Sequence, residues 1–295
     1  MAACSSNDVD TSEPNTLNEI RLYTEVQTRA ANVAADLQDI QFAANTEIKV
    51  QVTDNNTDAN ARIAYSLTTY KADGSGGLTC QPDGSVQYFP PTGTSVDIYA
   101  FHPADAATSA EAVTFSVRGN QEETADYVAS DLMWASLSGI TKTSTDLQRK
   151  LQFTHKLSKI IVSLVKGAGV SDGDLAASTV TLENVICKGT FTPTTGVFTA
   201  AEDAELNRSD IVITETAGTT AHAAIIVPQS VAGKKLTIAM GGGTQSYTIP
   251  AQTTFAAGKK YTYTVTVSKS GLSVTTSITD WTADGWTDPT PNIRF

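Results

Sequence analysis

From Ile20 the chain alternates: Ile20, Leu22, Thr24 and Val26 share one parity, while Arg21, Tyr23, Glu25 and Gln27 take the other. Successive side chains of a strand point to opposite faces, so this pattern predicts a strand with one face in a core and Ile20, Leu22 and Val26 buried. The alanine-rich stretch 30–37 that follows has no sustained apolar face and reads as loop. Short apolar runs then recur at 47–53, 62–70, 85–89, 95–101 and 112–117, separated by turn dipeptides such as Asp73-Gly74, Asp83-Gly84 and Pro90-Pro91. Each run reads as a strand and each dipeptide as a turn. Residues 121–150 break this rhythm and read as the one helical or irregular region.

The second half opens with the Ile/Val-rich Leu157–Val165 and a turn-prone Gly167–Asp174. Strands are predicted at 178–186, 189–192, 197–199, 210–214, 222–227, 234–240 and 245–249. The clearest alternation is Tyr261-Thr262-Tyr263-Thr264-Val265-Thr266-Val267, then a turn at Lys269-Ser270-Gly271-Leu272 and a last strand with Leu272, Val274, Thr276 and Ile278 on one parity. Residues 5–18 are polar and aperiodic and read as a linker. The tail 282–295 carries Pro289 and Pro291 and shows no packed element.

Composition fits this reading. The chain has 295 residues, 44 of them threonine, and only 17% are charged, which is the composition of strands rather than of helix surfaces. Regular short strands over this length predict an all-β protein of two tandem sandwiches, 19–153 and 154–281, after a start and linker at 1–18. Twenty basic against 31 acidic side chains leave a net charge of -11, which speaks against a nucleic-acid partner. No run approaches the ~18 apolar residues of a membrane span.

A search for chemistry returns little. His102, His155 and His222 fall at strand ends and read as hydrogen-bonded structural imidazoles. There is no G-x-S-x-G elbow. The acidic pairs Asp172/Asp174, Glu122/Glu123 and Glu202/Asp203 sit in polar, loop-like stretches and read as solvated charge rather than as a glycosidase pair. Asp54-Asn55-Asn56-Thr57-Asp58 is dense in oxygen ligands, yet lacks the central Gly and distal Glu of a helical calcium loop. Gly241-Gly242-Gly243 joins two strands and reads as a hairpin turn, without the helix that would hold a phosphate. No enzyme activity, metal or cofactor is predicted. Cys80 and Cys187 match no metal spacing; they read as two separate thiols, the alternative being a disulfide between the halves.

Cys4 follows two small residues and precedes a polar stretch, as at the junction where a bacterial lipoprotein signal is cut and the new terminal Cys is acylated. Together with it stand Thr28-Arg29-Ala30 after the first strand, Phe153-Thr154-His155-Lys156-Leu157 before the Ile/Val strand, and Gly258-Lys259-Lys260-Tyr261-Thr262-Tyr263-Thr264-Val265. The turn Gly271-Leu272 and the closing Ile278-Thr279-Asp280-Trp281 complete the set. In this order the pieces resemble the fimbrillin-like pilins of the type V pilus.

The resemblance implies two transthyretin-like β-sandwiches, made as an outer-membrane lipoprotein acylated at Cys4 and displayed in an extracellular fimbrium. It implies that an arginine-specific extracellular protease cuts between Arg29 and Ala30, removing the first strand, and that a strand from the C-terminal part of another pilin subunit fills the groove. Two donors are open. One is 272–278, whose Leu272, Val274 and Ile278 repeat the order of the first strand; the other is the tail, with Ile293 and Phe295 two residues apart. Fourteen residues at ~3.3 Å each would reach roughly 46 Å. Partners are then other subunits and the protease, with a host or bacterial surface ligand for a tip adhesin. The competing reading is a cell-surface carbohydrate-binding sandwich using exposed Trp134, Trp281 or Trp286.

Overall fold

The computed structural model describes residues 19–26, 41–82, 86–142, 148–215, 221–241 and 243–281. The first part holds β1 (Arg21–Val26), β2 (Glu47–Asp54), β3 (Thr68–Ala72), β4 (Leu78–Gln81), β5 (Val96–His102), β6 (Val113–Ser116), the short helix α1 (Thr124–Ala129), β7 (Met133–Ile140) and β8 (Gln148–His155). Next come β9 (Ser158–Lys166), α2 (Asp172–Ala176), β10 (Thr179–Ile186), β11 (Lys188–Thr192), β12 (Val197–Ala200), β13 (Arg208–Glu215) and β14 (Ala221–Ile226). The last are β15 (Gln229–Ser230), β16 (Lys235–Met240), β17 (Gly243–Thr248), β18 (Thr254–Phe255), β19 (Lys259–Ser268) and β20 (Gly271–Asp280). The all-β prediction holds.

Two large sheets organise these strands. The first runs β1-β8-β7-β5-β2-β3-β4 and the second β17-β16-β10-β13-β14-β9-β19-β20. The chain passes from one to the other between His155 and Ser158. A three-stranded sheet, β12-β11-β6, joins a strand from before this crossing to two from after it.

Two apolar cores follow, and β5 serves both. Its Val96, Ile98 and Ala100 lie in one core with Ile48, Val50, Leu151 and Phe153, while Tyr99 and Phe101 lie in the other with Ile160, Val180, Phe191 and Tyr263. A strand covered on both faces loses the polar parity that marks a half-solvated strand, which is why Val96-Asp97-Ile98-Tyr99-Ala100-Phe101 is nearly all apolar. Phe115, Tyr127 and Leu132 also lie in the second core although they precede the crossing.

Three strand expectations are corrected. Residues 62–67 lie outside any strand; the backbone N–H of Ile63 is taken by the Asp54 carboxylate (3.0 Å) and the Tyr65 carbonyl by the Gln51 amide (2.9 Å), so side chains replace the ladder. In place of a strand at 85–89, the described part has a single bridge at Tyr88. The region 121–150 contains α1 but also β7 and the start of β8. Its alternation was hidden by small residues, since Met133 and Ala135 face one core while Trp134 packs against the other.

The hairpin turns were read correctly. β16 and β17 pair up to Met240 opposite Gly243, and β19 and β20 up to Ser268 opposite Gly271. Cys80 and Cys187 are not joined by a disulfide, as the reading of two separate thiols expects.

Candidate functional site

β1 joins the two ends of the first sheet. On one side it runs parallel to β8, from Arg21 opposite Gln148 to Val26 opposite Phe153. On the other it meets the backbone flanking β4, the far end of the same sheet. Ile20 N donates to Gln87 O (2.8 Å) and Thr24 N to Gly76 O (2.7 Å), with bridges from Glu19 to Tyr88 and from Tyr23 to Gly77. β1 is therefore held between two backbone partners.

Its inward face is well covered. Ile20 and Leu22 are 2% and 1% exposed and share a core with Phe42, Ile48, Leu151 and Phe153. Thr24, also buried, satisfies its hydroxyl by donating to Gly76 O (3.3 Å). This explains a threonine in an inward register: a buried hydroxyl needs a partner, and a main-chain carbonyl on the facing segment supplies it. Val26 is described in its backbone only. At ~1.5–3 kcal/mol for each buried aliphatic side chain, Ile20 and Leu22 together contribute roughly 3–6 kcal/mol.

The approach on the β4 side depends on glycine. Gly76 has φ +99°, and a Cβ there would stand 3.2 Å from Thr24 O and 3.3 Å from the Gln41 amide nitrogen. Only a residue without a side chain adopts that conformation and leaves room for the β1 backbone. The sequence signal was the Asp73-Gly74-Ser75-Gly76-Gly77 run, which reads as a turn and says nothing of the strand that docks on it.

The outward face is ordinary surface. Glu25 pairs with Lys150 and accepts from Gln152 Nε2 (3.4 Å), and the Lys150 bond holds its carboxyl below the usual range against the opposing effect of desolvation. Arg21 pairs with Glu19 at 3.3 Å.

The other predicted site residues are placed as follows. Leu272, Val274 and Ile278 lie on β20, the edge strand of the second sheet, which pairs with β19 along its whole length. Leu272 and Val274 are half-buried against the second core, whereas Ile278 is 62% exposed. Cys4, Arg29, Ala30, Ile293, Phe295 and Trp286 lie outside the described residues.

Trp134 and Trp281, two of the tryptophans named for carbohydrate binding, do not offer open rings. Trp281 is buried and stacked on His155, with ring centroids 3.6 Å apart. Trp134 is partly buried, donates Nε1 to Pro193 O (2.7 Å), and has the Lys156 ammonium over its ring. All three histidines are buried. His102 Nδ1 meets Glu47 O (3.1 Å) and His155 Nδ1 meets Asp131 Oδ1 (2.8 Å). In the oxygen-rich loop, the carboxylate of Asp54 is occupied by Asn56 N, Ile63 N and the Thr94 hydroxyl. No group of three metal-ligating side chains converges among the described residues.

The candidate site is thus a docked strand on an all-β frame. Comparison with known proteins gives the family. The fimbrillin-like family model matches residues 28–281, and this chain belongs to that family. It is 30% identical over 239 residues to the candidate fimbrium subunit Fim1C of Bacteroides uniformis, covering 77% of this chain and 74% of that one. Among solved structures, it resembles a candidate cell adhesion protein from Bacteroides uniformis with TM-score 0.71 and 26% identity, over 92% of this chain and all of the other. One from Bacteroides ovatus has TM-score 0.71 at 21% identity, over 90% of this chain and 99% of the other. None of these relatives is described as an enzyme.

Proposed function

We propose that this protein is a subunit of a cell-surface fimbrium, secreted as an outer-membrane lipoprotein acylated at Cys4 and activated by loss of β1. An arginine-specific extracellular protease cuts between Arg29 and Ala30, three residues beyond the end of β1 in sequence. The vacated groove then receives a strand from another subunit, supplied either by the tail with Ile293 and Phe295 or by β20 with Leu272, Val274 and Ile278. In this reading the units 19–153 and 154–281 are two transthyretin-like sandwiches, the first accepting and the second donating.

The observation that carries the proposal is the docking of β1 between β8 and the backbone at Gly76, Gly77, Gln87 and Tyr88, with Ile20 and Leu22 buried. Removing it leaves main-chain groups unpaired on two sides and strips roughly 3–6 kcal/mol of apolar burial, a large part of a domain's stability. An incoming strand of the same period restores both, which is the logic of strand addition.

The test is limited digestion of the full chain with an arginine-specific protease, followed by N-terminal sequencing and unboiled SDS electrophoresis. Ala30 is expected as the main new terminus, with SDS-resistant ladders. Removing 282–295 should abolish the ladders while leaving cleavage intact. Cleavage that yields only monomers overturns strand exchange. Ladders from the truncated chain move the donor to β20.

A further inference from the structure

We infer that the first sheet carries a saccharide-binding groove, separate from the slot that β1 fills. A groove of about 610 Å³ lies between the irregular segment 63–67, the ends of β3 and β4, and residues 86–88. Of the few large apolar side chains left exposed among the described residues, Ile63 (37%) and Tyr88 (49%) both line it. The Tyr65 hydroxyl donates to Tyr88 O (2.7 Å), tying the two tyrosine-bearing segments together. Burial and the nearby Asp54 push that phenol up to about 12.

The rest of the wall is polar. The Gln87 amide donates to Ser66 O (3.0 Å) and to the Thr68 hydroxyl (3.1 Å), which fixes the segments that form this wall. Among the described residues that line the groove Lys49 is the only charged one, and one of its three N–H groups is spent on the Thr69 hydroxyl (2.7 Å).

These features select the ligand class. A lipid tail would desolvate the lysine and amide without compensation. A phosphorylated ligand would meet one lysine and no arginine. An extended peptide needs free main-chain groups, but the carbonyls of Tyr65, Ser66, Gln87 and Tyr88 are already accepting from Gln51, Gln87 Nε2, Ile20 N and the Tyr65 hydroxyl. A saccharide presents a C–H face for the Tyr88 ring and hydroxyls for the free N–H groups of Lys49 in one molecule.

The experiment uses the full chain with β1 in place, so its outcome is independent of the assembly reading. A glycan array of neutral, sialylated and uronic-acid-bearing oligosaccharides is probed first. The strongest retained oligosaccharide is then titrated calorimetrically against the wild type, Tyr88→Ala, Lys49→Gln and Leu206→Ser. Tyr88→Ala keeps the main-chain carbonyl that Tyr65 uses, and thermal denaturation checks that each variant is folded. At least a tenfold loss of affinity is expected for Tyr88→Ala and for Lys49→Gln, with none for Leu206→Ser, whose side chain is exposed elsewhere. An array that retains no saccharide, or a titration in which Tyr88→Ala binds like the wild type, overturns the inference.

Discussion

β1 and β20 carry the same order of side chains, apolar, apolar, threonine, apolar at every second position, and each ends a sheet. Their settings are opposite. β20 is tied to β19 by ten paired positions across a two-residue turn, and it leaves Ile278 62% exposed. β1 pairs with a strand 127 residues further along, meets a second partner on its other side, and buries Ile20 and Leu22 almost completely. One terminal strand is held mainly by local backbone bonds, the other by side chains in a core. A period-two pattern specifies that a segment is a strand with two unlike faces; it does not specify what either face meets.

The largest effect that sharpens this contrast is truncation of matched apolar residues. Leu22→Ala should lower the free energy of unfolding by about 2–5 kcal/mol, the range for a buried leucine, whereas Ile278→Ala should stay within about 0.5 kcal/mol. Urea denaturation followed by tryptophan fluorescence and circular dichroism measures both. Equal losses would break the comparison.

Next come the glycines that let each strand reach its partner. Gly76→Ala meets both a positive φ and the Thr24 carbonyl at 3.2 Å; Gly271→Ala meets φ +144° with no heavy atom within 4 Å of the added carbon. The backbone strain is about 1–3 kcal/mol in each, so the excess at Gly76 reports the contact with β1. It should appear as faster amide exchange of Thr24, whose N–H donates to Gly76 O. Unchanged exchange there would mean that the segment around Gly76 gives way without loosening β1.

Acid should act on both sheets alike. Burial holds His102 on β5 and His222 on β14 below the ordinary histidine value near 6.5. The unfolded chain therefore binds protons that the folded one refuses, so stability is full above about pH 6.5 and falls as the pH drops below it. Thermal midpoints between pH 7.5 and 5 should decline in this sense, and His102→Gln should flatten part of the slope. A midpoint that rises on acidification would reverse the assignment.

The smallest effect is at the surface pairs Glu25–Lys150 and Lys259–Asp280, one on each terminal strand. Exposed pairs contribute little and are screened by salt. Lys150→Ala and Lys259→Ala should each shift the urea midpoint barely beyond error, and less at high salt. A marked loss from Lys150→Ala alone would add an electrostatic clamp to the hold on β1.

Alternation by itself determined the all-β class, the first strand with Ile20 and Leu22 facing inward, the β19–β20 hairpin and most strands of the second half. These are short-range consequences of side chains that alternate between water and a core. Only the tertiary structure decided what a strand meets. β5 and β7 serve two cores, so their second apolar face erased the polar parity that marks a half-solvated strand. Thr24 looked like an outlier in an apolar face until the Gly76 carbonyl stood opposite its hydroxyl. Trp281 looked like an open platform and is buried on His155. Likewise Ile63 and Tyr88, far apart in sequence and unremarked there, line one groove with Lys49 and Gln87 because closing the sheet brings their segments together. Contacts of this kind join residues tens to more than a hundred positions apart, and a local periodicity holds no information about which distant segment will supply the other wall.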